Sequence, residues 1–393
     1  MPDLETIYRQ TLSRCAPQEL VRTVVRPDMP RDVVAIGKCA GALLDGVAAV
    51  HPVRDAIAVI PRMYPPPIAG ADVFFGGHPQ VDEDSFSAGN ELLRFVDAHD
   101  EILFLISGGG SACVESPLVP WFTRRDIADT NARLIDAGLP IAEINCVRKH
   151  LSAIKGGRLA ARVRRRCVTL VYSDVGTGDL ASVASGPTLP DSARKSDAIT
   201  ILESIGGCDR IVTALRDESV PDTVAELTHA MSLLVADNNT LTRAAARIVR
   251  QEGLMPVMWE GQIEGDVSEA ARALASRAAT LRSGEVLIAG GEPTVVRHGD
   301  GRGGRCSEMA VRFAIQSASR GLRALFGSSD GVDGSSGAAG VAFDPVPAAV
   351  EESAAVSSLS RSDSMTTALR LGRAVIMLPT GNNLRDLYLV ARP

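Results

Sequence analysis

The sequence predicts an α/β protein of two domains, and three observations carry that reading. Short, continuously apolar runs alternate with helical stretches along almost the whole chain. Runs of that kind, lacking the polar–apolar alternation of a half-exposed strand, indicate parallel sheets covered on both faces. The length of 393 residues also exceeds what one core sustains, since single cores stop growing near ~250–300 residues. Finally, nearly every apolar run ends in glycine or small polar residues. Open α/β sheets bind ligands outside the carboxyl ends of their strands, so functional residues are expected to converge there.

The elements follow in order. DVVAIG (32–37) reads as a strand and leads into the helical KCAGALLDGVAAV. DAIAVIP (55–61) enters a proline-rich turn, and EILFLIS (101–107) runs into three glycines. CVTLVYSDV (167–175) ends in another glycine-bearing loop. SLLVADNN (232–239) precedes the helix TLTRAAARIVRQEG, and PVMWEG (256–261) precedes VSEAARALASRAATLRSG. GEVLIAGGEPTVV (284–296), RALFGSSDG (323–331) and RAVIMLPTG (373–381) complete the series. The polar stretch 188–225 reads as an inter-domain region, and the domains are predicted at 1–228 and 229–393.

Hydrophobic residues at 45% and charged residues at 22% describe a soluble globular protein. A net charge of −6 gives no general attraction for nucleic acid or for an anionic membrane. Seven scattered cysteines without a C-x-x-C pair fit reduced thiols rather than a disulfide scaffold or zinc site. With no signal-peptide pattern and no apolar run near ~18 residues, a cytoplasmic protein is expected. Only four lysines (38, 149, 155 and 195) stand against 37 arginines. A compact ammonium is not interchangeable with a planar fork, so these lysines mark places that need a point charge.

Ser107, Gly108, Gly109, Gly110 and Ser111 form SGGGS after a strand: either a tight turn or a cradle whose N–H groups meet phosphate. No lysine follows, so it is not a Walker loop, and GKC at 37–39 lacks the hydroxyl and upstream glycine of one. Lys38 sits at a strand–helix junction and is expected to face an anion. The stretch NCVRKHLSAIKGGR (145–158) holds Arg148, Lys149, His150, Lys155 and Arg158, which is either a solvated basic face or an anion site. The loops SDVGTGD and SSDGVDG place Asp174, Asp179, Asp330 and Asp333 among glycines, suiting Mg²⁺ ligation, a general base, or plain Asx turns. GDGRGGR (299–305) contains a literal G-x-G-x-x-G, weak as a dinucleotide fingerprint. It reads better as an anion clamp, with Arg302 and Arg305 ahead of a helix.

SGGGSA, EINCVRKHLSAIKGGRLA, SDV…ASGPT, GGEPTVV, GRGGR with a following glutamate, SDGVDG…AAG and PTGNN occur in this order along residues 5–390. In that order they resemble the class II glycerate 2-kinases, the MOFRL family often labelled hydroxypyruvate reductases. The resemblance implies an ATP- and Mg²⁺-dependent kinase acting on the 2-hydroxyl of D-glycerate. It also implies a Rossmann-like domain plus a second, smaller α/β domain, with the active site in the cleft between them. It places active-site roles on Lys38 and Arg305. Asp174 is expected to serve as base or metal contact, with Asp179 a second Mg²⁺ ligand and Asp330 and Asp333 the other acidic candidates. Arg148, Lys149 and Arg302 are expected to hold substrate carboxylate or nucleotide phosphate. Residues 107–111, Asn145, His150, Glu292, Glu308, Thr380 and Asn383 complete the expected binding set.

Four departures from the family pattern bear on the substrate: Cys306 and Ser307 after Arg305, the run Gly176–Asp179, Gly337, and Asn382 with Asn383. Cys306 and Ser307 are expected to form a smaller pocket wall that admits a bulkier hydroxy acid. A kinase for a larger hydroxylated acid, an NAD(P)H-dependent hydroxypyruvate reductase and a non-catalytic relative are the alternatives. The partners expected are hydroxy acid and ATP, with a homodimer left open.

Overall fold

The computed structural model describes residues 3–176, 178–317 and 320–393 and divides into two compact units, residues 17–235 and residues 1–16 with 236–393. The first unit is built on a sheet of β1 (Asp32–Ile36), β2 (Asp55–Pro61), β3 (Asp72–Gly76), β4 (Glu101–Ser107), β5 (Arg166–Tyr172) and β6 (Ala230–Ala236). Their spatial order is β3-β2-β1-β4-β5-β6. The pairs β1/β2, β2/β3, β1/β4 and β4/β5 run parallel. Every residue of β1 is buried, as expected for a strand covered on both faces. Val34, Ile36, Phe104 and Ile106 pack with Ala88, Leu92 and Val96 of the helix Glu83–Ala98. That helix starts in a capping box: Asp82 accepts from the Ser85 N–H at 2.9 Å, and Ser85 Oγ accepts from the Asp82 N–H at 3.2 Å.

Strand order reverses between β1 and β4, which makes the loops after these two strands the switch point at which open α/β sheets bind ligands. Those loops are Gly37–Lys38 and the glycine run 108–110.

The stretch 188–225 is not a linker. It contains the helices Lys195–Ile205 and Asp209–Leu215. Their Ala198, Leu202, Ile211 and Leu215 share a core with Val147 and Leu151 of the helix Ile141–Leu151. Its polar surface residues concealed an apolar stripe at helical spacing.

The second unit has β7 (Met255–Met258), β8 (Glu285–Gly291), β9 (Arg323–Ser328), β10 (Gly340–Phe343), β11 (Arg373–Val375) and β12 (Asp386–Ala391). Their order is β11-β10-β9-β12-β8-β7. Only β7/β8 is parallel; the other four pairings are antiparallel, which corrects the expectation of a second parallel sheet. Helices pack on this sheet too, and continuous apolar strands report covered faces rather than strand direction. Leu287, Ala289, Phe326 and Tyr388 meet Leu274, Met309 and Phe313 from the helices Val267–Ala278 and Arg305–Ser317. The helices Leu4–Arg14 and Asn238–Gln251 also pack on the sheet. Tyr8 donates to the Ser328 carbonyl, and a Cβ at Gly327 would lie 2.7 Å from its ring. Thus residues 4–14 belong with the second unit. None of the seven cysteines forms a disulfide.

Candidate active site

At the switch point of the first unit, close backbone approach accounts for the glycines. Gly37 has φ +110°, and a Cβ there would lie 2.4 Å from the Ser107 carbonyl oxygen. The Lys38 N–H donates to the Gly108 carbonyl at 2.9 Å, and the Cys39 N–H donates to Ser107 Oγ at 3.0 Å. Gly109 has φ +85°, and a Cβ on it would meet Lys38 Cγ at 2.9 Å and the His78 ring at 3.5 Å. A Cβ on Gly110 would strike the Ala184 methyl at 2.6 Å. The three glycines therefore let the Lys38 stem and the 184–186 turn lie directly on the loop. The half-buried Lys38 places its Nζ 5.7 Å from the centre of the Tyr64 ring. Enclosure by neighbouring loops, and then the Lys38 ammonium, hold the His78 imidazole down to about 4, although the residue keeps substantial solvent contact.

Ser111 Oγ lies 2.8 Å from Ser185 Oγ, and Ser185 donates to Asn145 Oδ1 at 2.9 Å. Ala184 and Ser185 both have positive φ (+52° and +60°), strain of a kind that clusters at functional turns. Asp174 follows β5 and is half-buried. Asp179 is exposed and accepts the Ser182 hydroxyl. Thr177 lies outside the described residues. Among the described residues no group of three or more His, Cys, Asp or Glu side chains is placed to hold a metal ion.

The basic stretch 145–158 turns inward rather than forming a solvated face. Lys149 pairs with Asp191. Lys155 pairs with Glu115 at 2.5 Å, both side chains 1% exposed. Arg158 donates to the carbonyls of Lys149 (2.5 Å) and Asp222 (3.0 Å), and burial pushes its guanidinium down to about 10. His150 is fully buried with Nδ1 2.8 Å from the Cys146 carbonyl, and burial lowers its pKa. These charges are answered by acids and carbonyls of their own unit, because Asp191, Asp222 and Glu115 come from segments distant in sequence. Arg148 differs. It is buried, donates from Nε to Asn131 at 2.9 Å, and makes no ion pair among the described residues; burial lowers its pKa while the charge of nearby Glu115 opposes that shift.

In the second unit, Arg305 opens the helix Arg305–Ser317. Its Nε and Nη2 lie 3.2 and 3.5 Å from the two Asp386 oxygens, and its Nη1 lies 3.0 Å from Glu292 Oε1. Burial alone would lower its pKa, but Asp386 and Glu292 raise it. Arg385 contacts Glu292 at 3.5 Å and Glu264 at 2.7 Å. The helix N-terminus is not an open anion clamp, because Asp333 accepts from the N–H groups of Cys306 (2.8 Å) and Ser307 (2.9 Å). Gly304 permits this: a Cβ there would sit 2.1 Å from Asp333 Oδ1. Burial raises the Asp333 carboxyl to about 6.

Cys306 and Ser307 are both 0% exposed, Cys306 in the apolar core and Ser307 2.9 Å from Ser364 Oγ, so they do not form the pocket wall expected of them. Arg302 Nη2 donates to the Ser336 carbonyl at 2.9 Å, and Glu308 pairs with Arg312 one turn on. Asp330 makes an Asx turn, accepting from Ser328 Oγ and the Val332 N–H at 2.8 Å each. Thr380 donates to the Ser329 carbonyl, and Asn383 is buried. The glycines of the G-x-G-x-x-G stretch pack on Arg361, Asp363 and Asp333. They follow no strand and open no βαβ unit of the dinucleotide type.

Sequence reasoning missed His78, Ser185, Asp386 and Tyr388. His78 follows β3, and Asp386 and Tyr388 lie on β12; neither strand was read from the sequence. The strand-end rule that found Lys38 would have found His78 had β3 been recognised.

The glycine loop and Lys38 of this α/β protein lie at the switch point where such folds bind their ligands. Residues 3–218 match a family described as a domain of unknown function (DUF4147), and residues 285–386 match the MOFRL family. The chain is 33% identical over 326 residues to a glycerate 2-kinase of Sulfurisphaera tokodaii, covering 79% of this chain and 78% of that one. It is equally 33% identical, over 387 residues, to an Agrobacterium vitis protein provisionally named a hydroxypyruvate reductase, covering 92% of this chain and 87% of that one. The crystal structure of a glycerate kinase from Thermotoga maritima superposes with a TM-score of 0.87 at 28% identity, over 99% of this chain and 98% of that one. The chain belongs to the glycerate kinase family.

Proposed function

We propose that this chain is an ATP-dependent kinase that phosphorylates the 2-hydroxyl of D-glycerate or a closely related hydroxy acid. The observation that carries this is Lys38 lying on the glycine loop at the β1/β4 switch point, in a chain of the glycerate kinase family. The substrate 2-oxygen forms a bond to the γ-phosphorus as the bond to the bridging oxygen breaks and ADP leaves. In such transfers the protein chiefly positions the reactants and neutralises charge. Lys38 supplies a compact cation to the transferring phosphoryl group, and Arg305 supplies a fork of donors. Asp174 takes the hydroxyl proton. Arg148, buried and in no ion pair among the described residues, suits the substrate carboxylate.

Mg²⁺ fits this donor set in the way it serves many kinases, through one or two carboxylates plus nucleotide phosphates rather than an all-protein cage. Asp179 would hold it, which leaves Asp174 to the proton. The ion would neutralise charge on the β- and γ-phosphoryl oxygens. Lys149, His150 and Asp333 are read as scaffold, because each is committed within its own unit.

The test is ADP release with a panel of 2-hydroxy acids, alongside NADH and NADPH oxidation with hydroxypyruvate. Turnover of D-glycerate with ATP supports the reading. Nicotinamide oxidation without ADP release would replace it with the reductase.

A further inference from the structure

Asp386 is 0% exposed, and it opens β12 with neighbours on both sides: its backbone registers with Gly291 of β8 and Ser328 of β9. The Asn238 amide donates to the Asp386 carbonyl at 3.1 Å. Tyr388, two residues on and therefore on the same face of the strand, donates its hydroxyl to Asp386 Oδ2 at 3.1 Å. Burial first, then the Asp386 charge, raises the Tyr388 pKa far above its usual value, so the phenol stays a donor. The carboxylate is thus fixed by backbone on two sides and by a phenol, and it meets the inner edge of the Arg305 guanidinium, whose side chain remains 37% exposed.

A guanidinium carries five N–H bonds in a rigid plane. Asp386 engages Nε and one N–H of Nη2, and Glu292 forms an ion pair with Nη1. Two N–H bonds, one on each terminal nitrogen, have no partner among the described residues. We propose that Asp386 is the positioning residue for Arg305, turning the guanidinium so that these two N–H bonds meet a pair of anionic oxygens on the substrate or transferring phosphoryl group. This rests on the kinase reading of Arg305. It goes beyond that reading by assigning the orientation to a residue that touches no substrate.

The experiment measures kcat and KM for ATP and D-glycerate by ADP release in the full chain, its D386N, R305K and R305K/D386N variants, and Y388F, with thermal unfolding of each. D386N should fold and lose about 10–100-fold in kcat, the loss typical when the partner orienting a functional ligand is removed, with KM for ATP changed far less. Because Lys cannot be oriented as a fork, R305K/D386N should be no slower than R305K alone. Near-native kcat in D386N, or losses that multiply in the double variant, would overturn the positioning role while leaving the kinase reading intact. Native turnover in R305K removes Arg305 from the reaction and the inference with it. If D386N fails to fold, Y388F decides: a selective fall in kcat supports the proposal, and unchanged kcat rejects it.

Discussion

Lys38 and Lys155 lie in the same unit, each in a stretch with adjacent glycines, yet their surroundings make them different residues. Lys155 is 1% exposed and bound to an equally buried Glu115. Lys38 is half-buried, its stem crosses Gly109, and its ammonium stands near an aromatic ring and a histidine held neutral. Lys149 and Lys195 resemble Lys155, one bound to Asp191 and the other to the Asp217 and Val220 carbonyls. Lysine scarcity in an arginine-rich chain therefore marks positions that need a compact ammonium, and most of those positions are architectural. Function is distinguished by the strand-end environment.

The largest test of this contrast is at Lys38. Lys38→Ala should lower kcat about 10²–10³-fold, the loss typical for one charge-stabilising donor in a transition state, with the melting temperature nearly unchanged. Lys38→Arg should also be strongly impaired, because a broad planar fork replaces a compact ammonium; near-native turnover would place Lys38 outside the reaction.

Lys155→Met should do the reverse. Leaving Glu115 buried and unpaired should cost about 3–5 kcal/mol, measured by urea unfolding. A loss below ~1 kcal/mol would mean that the pair is not buried in solution.

Gly109→Ala joins the two effects. It adds a left-handed Ala, costing about 1–2 kcal/mol, and pushes a methyl into the Lys38 stem, so turnover should fall about 10-fold as well. Loss of stability without loss of turnover would separate the glycine from the lysine.

The smallest effect is at His78. Its folded pKa of about 4 lies below the unfolded value of 6.5. As pH falls from about 6.5 towards 4, the unfolded chain takes up a proton that the folded site refuses, so stability falls over that window and is unaffected above it. His78→Asn should flatten that part of the stability–pH curve.

The parallel sheet and its glycine loop were legible because β1, β4 and β5 carry apolar runs behind a charged first residue and end in abrupt polar loops. β3 was not, because DVFFG is a partly exposed edge strand after a proline-rich turn. The direction of the second sheet was hidden because helix-covered antiparallel strands are as apolar as parallel ones. The inward turn of Lys149, Lys155 and Arg158 was illegible for another reason: Asp191, Glu115 and the 221–222 carbonyls that receive them lie some 40–60 residues away in sequence. Charge runs show where cations cluster along a chain, not which tertiary neighbours answer them.

Helix Leu4–Arg14 buries Ile7, Tyr8 and Leu12 in the unit formed by residues 236–393, and the strand at that unit's centre is β12, residues 386–391. During synthesis the helix therefore leaves the ribosome long before its resting place exists. At roughly 5–20 residues per second the wait amounts to tens of seconds, during which residues 17–235 can fold as a continuous segment. Until then the apolar face formed by Ile7, Tyr8 and Leu12 has no core to cover it.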